Sequence, residues 1–160
     1  LGNPKRFHFP LPMTTVSSYD MSFSGLKTAA RILLAEQTKS QPLRKQALYD
    51  FAASFQYAVF AHITYKLTKL LAHLSQHTPV KAVLLGGGVA ANQTLRQALR
   101  KTIRPFKIKL HTPVNQRLCS DNGAMIGFCG ALACIQQRFA VPNEIERQPR
   151  LKLGDVIRIQ

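Results

Sequence analysis

Gly86-Gly87-Gly88-Val89-Ala90-Ala91-Asn92 joins three residues of free backbone to a polar amide, and it follows an apolar run at residues 81–85. A strand that ends in glycines lets a ligand's phosphate or ribose approach the backbone and meet the N–H groups of a following helix start. The same stretch also serves as a plain tight turn. Read as Gly86-x-Gly88-x-x-Ala91 it fits a dinucleotide fingerprint, but Lys107 and Lys109 stand where that fingerprint needs an acid, about 20 residues on.

Asp121 is the one acid between Asp50 and Glu144. It follows a strand and loop at the head of a glycine-rich helix, where a carboxylate either coordinates a cation or caps the helix. His73 and His77 are four apart on one predicted helix face, a zinc-compatible spacing, but no third ligand or neighbouring Glu accompanies them, so they read as solvated residues. Lys81, Arg96, Arg100, Lys101, Arg104, Lys107, Lys109 and Arg117 gather in the second half. On a helix Arg96, Arg100 and Arg104 lie one turn apart, a row that could track a phosphate backbone or form a solvated face.

These residues need elements to position them. Pro4, Pro10 and Pro12 argue for an extended opening segment over residues 1–20, laid across a neighbouring surface. A short strand or turn at residues 21–23 leads to Ser24, the expected N-cap of a helix over residues 25–37. From residue 43, Leu48, Phe51, Phe55, Val59, Ile63, Leu67, Leu70 and Leu74 recur every three or four positions, which predicts a long amphipathic helix ended by Thr78-Pro79. Residues 81–85 read as a buried strand, 90–102 as a helix with Leu95, Ala98 and Leu99 inward, and 107–110 as a second strand. A last helix is expected to about residue 138, capped by Ser120 or Asp121, with Gly123, Gly127, Gly130, Ala131 and Cys134 giving it a slender surface for close packing. Two strands make a short sheet, so an exposed apolar edge and self-association or instability are expected.

Lys and Arg number 22 against seven acids, a formal net charge of +15, and residues 51–120 contain no acid at all. Such an imbalance predicts an anionic partner, and nucleic acid fits because the cations are mixed with core residues rather than set along one amphipathic basic helix. At 160 residues, 46% of them hydrophobic, the chain can bury a core. The longest apolar run, residues 124–135, falls short of the roughly 20 residues a membrane-spanning helix needs. Cys119, Cys129 and Cys134 form no Cys-x-x-Cys pair, which suits a reducing cytoplasm. Leu1 in place of Met suggests a piece of something longer.

Three motifs stand in order: Phe23-Ser24-Gly25-Leu26-Lys27-Thr28, then Gly86-Gly87-Gly88-Val89-Ala90-Ala91-Asn92, then Cys119-Ser120-Asp121-Asn122-Gly123-Ala124-Met125-Ile126. In order and spacing the set resembles the tRNA adenosine threonylcarbamoyltransferase family, TsaD in bacteria. Phe7-His8-Phe9-Pro10-Leu11-Pro12 and Arg147-Gln148-Pro149-Arg150 look like its flanking segments, so the likeness spans nearly the whole chain. It implies an α/β fold: most of one ribonuclease-H-like lobe of the actin and sugar-kinase (ASKHA) superfamily, with residues 1–20 flanking and 21–160 an incomplete C-terminal lobe. The family's first lobe, with its His-x-x-x-His ligands, and its Ser-Gly-Gly-His segment have no match here. Gly86 stands where the family usually has Ala.

The resemblance further implies transfer of threonylcarbamoyl from threonylcarbamoyl-adenylate to the N6 amine of the adenosine next to the anticodon in tRNA. On that reading Asp121 is a ligand of one divalent metal ion, iron or zinc, completed by the missing lobe. Asn92 contacts the adenosine part of the adenylate, and Gly87 and Gly88 line it. A cation on the adenylate phosphate would neutralise the leaving group while the amine attacks the carbamoyl carbonyl, so no protein nucleophile is needed. Expected partners are tRNA, held by Arg96, Arg100, Lys101, Arg104 and Lys107, the first lobe, and the family's partner subunits, with no membrane. The isolated chain is expected to be inactive. The competing class is a non-catalytic basic module that binds RNA or another subunit through the same fold; a dinucleotide oxidoreductase stands third.

Overall fold

A computed structural model describes residues 2–39 and 41–146. Four helices and two strands follow one another as α1 (Ser24–Gln37), α2 (Lys45–Leu74), β1 (Ala82–Leu84), α3 (Gln93–Ile103), β2 (Lys109–His111) and α4 (Gly123–Ile135), with short 3-10 turns between them. The strands run parallel in register Ala82 to Lys109, Val83 to Leu110 and Leu84 to His111. This is a mixed α/β arrangement in which α3 is the crossover that a parallel pair requires. The flanking motif at residues 147–150 lies outside the described residues.

The core lies where α2, α3 and the sheet meet. Phe60, Leu95 and Leu99 are buried together, with Val59, Ile63, Leu67, Leu85 and Leu110 packed around them. Of the apolar repeat on α2, Val59, Ile63 and Leu67 face this core, Phe51 and Phe55 meet the N-terminal segment instead and Leu48 is exposed, and the helix has a second buried line. Asp50, Ser54, Ala58, His62 and Lys66, spaced by four, are all buried. They lie beneath the N-terminal segment, whose backbone has no sheet to pair with and uses these side chains instead. The Asn3 N–H donates to Asp50 Oδ1 at 2.7 Å, and the Phe7 N–H donates to Ser54 Oγ at 3.1 Å. Further on, Lys66 Nζ donates to the Ser18 carbonyl at 2.6 Å and the Ser22 N–H to His62 Nε2 at 3.4 Å. Edge-on contacts of Phe7 and Phe9 with Phe51, and of Phe9 with Phe55, add apolar grip.

Several expected boundaries move. Ser24 is the first helical residue of α1 and not its cap; the N-cap position is Phe23, without a side-chain cap bond, and Ser24 Oγ pairs with Ser22 Oγ at 3.0 Å. No strand forms at residues 21–23. α2 ends at Leu74, so His77 lies in the turn beyond it rather than on the helix face of His73, although the two rings are 5.0 Å apart. The slender face expected for close packing of α4 meets nothing among the described residues. Open space lies beside Gly123, Gly127 and Gly130, while Ile126, Phe128 and Ile135 are 67%, 66% and 78% exposed.

Candidate functional site

The C-terminal end of β1 runs straight into the glycine turn, the end at which open α/β sheets gather ligands. Gly87 sits at φ +84°, a left-handed backbone that side chains rarely adopt, and nothing lies within 4 Å of a methyl placed on Gly86, Gly87 or Gly88. The turn is thus open on its outer face. It does not feed directly into the α-helix expected from residue 90. A 3-10 turn, Gly88–Ala91, intervenes, and Asn92 is the true N-cap of α3, its Oδ1 accepting from the Leu95 N–H at 3.1 Å. Asn92 Nδ2 donates to Gln56 Oε1 of α2 at 3.1 Å. Both ends of the amide are thereby oriented, yet one N–H and one lone pair are left over for a ligand.

Asp121 is exposed and makes no hydrogen bond or ion pair among the described residues. The capping role expected of it or Ser120 belongs to Asn122, in extended backbone, whose Oδ1 accepts from the Met125 N–H at 3.0 Å. Among the described residues, then, Asp121 has no structural partner. The described residues contain no group of three or more His, Cys, Asp or Glu able to hold a metal ion. One carboxylate in water does not retain a divalent cation, so the described residues do not by themselves fit the metal that the resemblance implies.

The five cations expected to hold tRNA separate into three places. Arg96 is buried, with Nε donating to the Ala90 carbonyl at 2.6 Å and Nη2 lying 3.4 Å from both the Pro113 carbonyl and Cys119 Sγ. It therefore leaves the expected surface row. Each step of four residues turns a helix by about 40°, so a row that starts beside buried Leu95 winds outward only at Arg100 and Arg104. Lys101 lines a separate groove of about 710 Å³ between α2 and α3, with Thr94, Thr64 and Tyr57. Arg100, Arg104 and Lys107 share a shallow depression of about 480 Å³ with Lys109 and His111 of β2. His111 was missed as a member; the signal was its place two residues after Lys109, on the same face of a strand.

A parallel strand pair joined through α3, with an exposed glycine turn at the end of β1, defines an α/β protein. The profile of the family described as TsaD, tRNA N6-adenosine threonylcarbamoyltransferase, matches residues 1–128. Curated proteins named tRNA N6-adenosine threonylcarbamoyltransferase are similar along most of the chain. That from Thermosynechococcus vestitus is 40% identical over 160 residues, 97% of this chain and 43% of the relative. Those from Bordetella petrii and Crocosphaera subtropica are 35% and 37% identical, covering 97% and 98% of this chain and 44% of each relative. The chain belongs to the tRNA N6-adenosine threonylcarbamoyltransferase family. It spans less than half the length of the curated relatives it matches.

Proposed function

We propose that this chain is the C-terminal part of an enzyme that transfers threonylcarbamoyl from its adenylate to the N6 amine of a tRNA adenosine. On this reading it is most of one ribonuclease-H-like lobe, and the lobe that completes the site lies in the part of the relatives it does not span. The observation that carries the reading is the open glycine turn followed by Asn92, whose amide is held by Leu95 and Gln56 with hydrogen-bonding capacity to spare. The turn receives the adenylate and Asn92 hydrogen-bonds its adenosine part. The tRNA phosphates lie on Arg100, Arg104 and Lys107, and the attacking nitrogen is the substrate's own, so the protein's task is placement. Asp121 contributes one donor to a divalent cation whose remaining donors lie outside this chain.

The test is a fusion that completes this chain with the unspanned part of the Thermosynechococcus relative, assayed for threonylcarbamoyl transfer to tRNA. Asn92→Ala should raise KM for the adenylate with metal content unchanged, whereas Asp121→Ala should lose both metal and activity. Full activity in both variants would overturn the roles given to Asn92 and Asp121, and a completed fusion without transfer would overturn the enzyme reading. Robust tRNA binding by a fusion that never transfers would favour the non-catalytic module instead, for which the net charge of +15 is the supporting observation.

A further inference from the structure

We infer that Arg96 is a positioning residue that sets the glycine turn and the Asp121 loop in fixed relation to each other; this rests on the function proposed above. Three separate segments converge on its guanidinium. Nε donates to the carbonyl of Ala90, in the 3-10 turn that ends at the adenylate-facing Asn92. Nη2 reaches the carbonyl of Pro113, in the loop that leaves β2, and Cys119 Sγ, two residues before Asp121. Cys119 is itself buried, 4% exposed, and its N–H donates to the Gln116 carbonyl, so the loop is pinned at that point.

The chemistry of this arrangement is unusual for a structural pin. Arg96 has no carboxylate partner among the described residues, although burying a charge is costly without one. What the guanidinium offers and a neutral or apolar side chain does not is a rigid planar fork, able to serve acceptors in several directions at once. An ammonium on a flexible stem cannot hold the same directions, so lysine is not equivalent here. Asn92 and Asp121 stand on the connections that follow the paired strands β1 and β2, and beyond the ends of those strands this one side chain bridges both connections.

Two measurements test the role. In the 160-residue chain carrying Cys129→Ser and Cys134→Ser, Cys119 is the one thiol, and a maleimide should label it slowly. Arg96→Ala should speed that labelling, and free guanidinium at non-denaturing concentration should slow it again while methylammonium does not. In the completed fusion, Arg96→Lys should lower kcat on the order of 10- to 100-fold, as misplacement of reacting groups does, and leave KM for the adenylate unchanged. Wild-type kcat in Arg96→Lys, or Cys119 still protected in Arg96→Ala, would overturn the inference. So would unfolding of both variants by circular dichroism, which would make Arg96 a structural pin alone. If instead the completed fusion never transfers threonylcarbamoyl, the proposed function fails while the labelling result still reports on the clamp.

Discussion

His62 and Asp50 are polar residues used as interior anchors, and both tie the grip of the N-terminal segment to pH. His62 is fully buried, its Nδ1 has no partner among the described residues, and desolvation first, then the neighbouring Lys66 ammonium, holds its imidazole below the usual range. The folded protein therefore resists a proton that the unfolded chain accepts near 6.5, and stability falls as pH drops from there through the lowered folded value. Asp50 is held below the ordinary carboxylate value of 3.8, chiefly by the Asn3 N–H, so its contribution is kept above that value and lost only in stronger acid. We expect the melting temperature to fall between pH 7 and pH 5, and His62→Gln, which keeps an acceptor for Ser22 without a titrating ring, to flatten that fall. An unchanged slope in His62→Gln would refute the assignment. Two glycines give a sharper contrast. A methyl on Gly2 would sit 1.9 Å from the Tyr49 carbonyl oxygen, so Gly2→Ala should dislodge the segment. Gly87→Ala has space, but φ +84° with ψ 166° is a backbone that essentially only glycine adopts, and it should cost about 1–3 kcal/mol in a chemical denaturation curve. The Gly86-Gly87-Gly88 turn was legible from residue types alone, because little else ends a strand that way. The buried line of Asp50, Ser54, His62 and Lys66 was not, because polar side chains at helical spacing look the same whether they face water or the backbone of another segment.

α3 shows how an element redistributes residues that look alike in sequence. Of the inward face expected from the apolar repeat, Leu95 and Leu99 are buried and Ala98 is only half-buried, while Ile103, beyond the expected helix end, completes the face and Arg96 stands at its margin. A spacing of four reads as one side over a single turn, but over two turns the row rotates far enough to leave the core, and a cation on its inner end is buried. The sheet was legible as two strands and a crossover, since parallel strands need such a connection. The 3-10 turn between glycines and helix was not, because four residues leave no periodic signal. The separation of the cations has a measurable consequence. On the proposed function, with Arg100, Arg104 and Lys107 neutralising about three phosphates, tRNA affinity should fall roughly 20- to 40-fold between 50 and 200 mM salt. Arg100→Glu should weaken binding and reduce that salt dependence by about one phosphate's worth. Arg96→Gln should leave the salt slope of any folded protein as it was, since its guanidinium faces carbonyls and a thiol. A slope reduced equally by both substitutions would put Arg96 on the binding surface and contradict its placement.

Considered as a whole, the chain is built more firmly at one end than at the other. The N-terminal segment, α2, α3 and the two strands share a core, while α4 carries Ile126, Phe128 and Ile135 into solvent with nothing packed on them among the described residues. No helix among those residues is long and apolar enough to cross a membrane, so α4 is no span; its apolar side chains are too short a run for that. A two-stranded sheet is marginal by itself, and Leu84 on its outer face is 80% exposed. Large apolar side chains exposed around α4 favour association. The positive charge opposes it, but screening by salt removes that protection, because the Debye length shrinks to about 8 Å at physiological ionic strength. We therefore expect the 160-residue chain to be closest to monomeric in low salt and to associate as salt rises, the reverse of its expected behaviour toward tRNA. Sedimentation at several salt concentrations measures this. Ile126→Lys with Phe128→Glu breaks the apolar stretch without changing net charge, and should shift the weight-average mass toward the monomer at every salt concentration. If the double variant associates as the parent does, α4 is not the adhesive surface, and the exposed face of the sheet at Leu84 becomes the place to look.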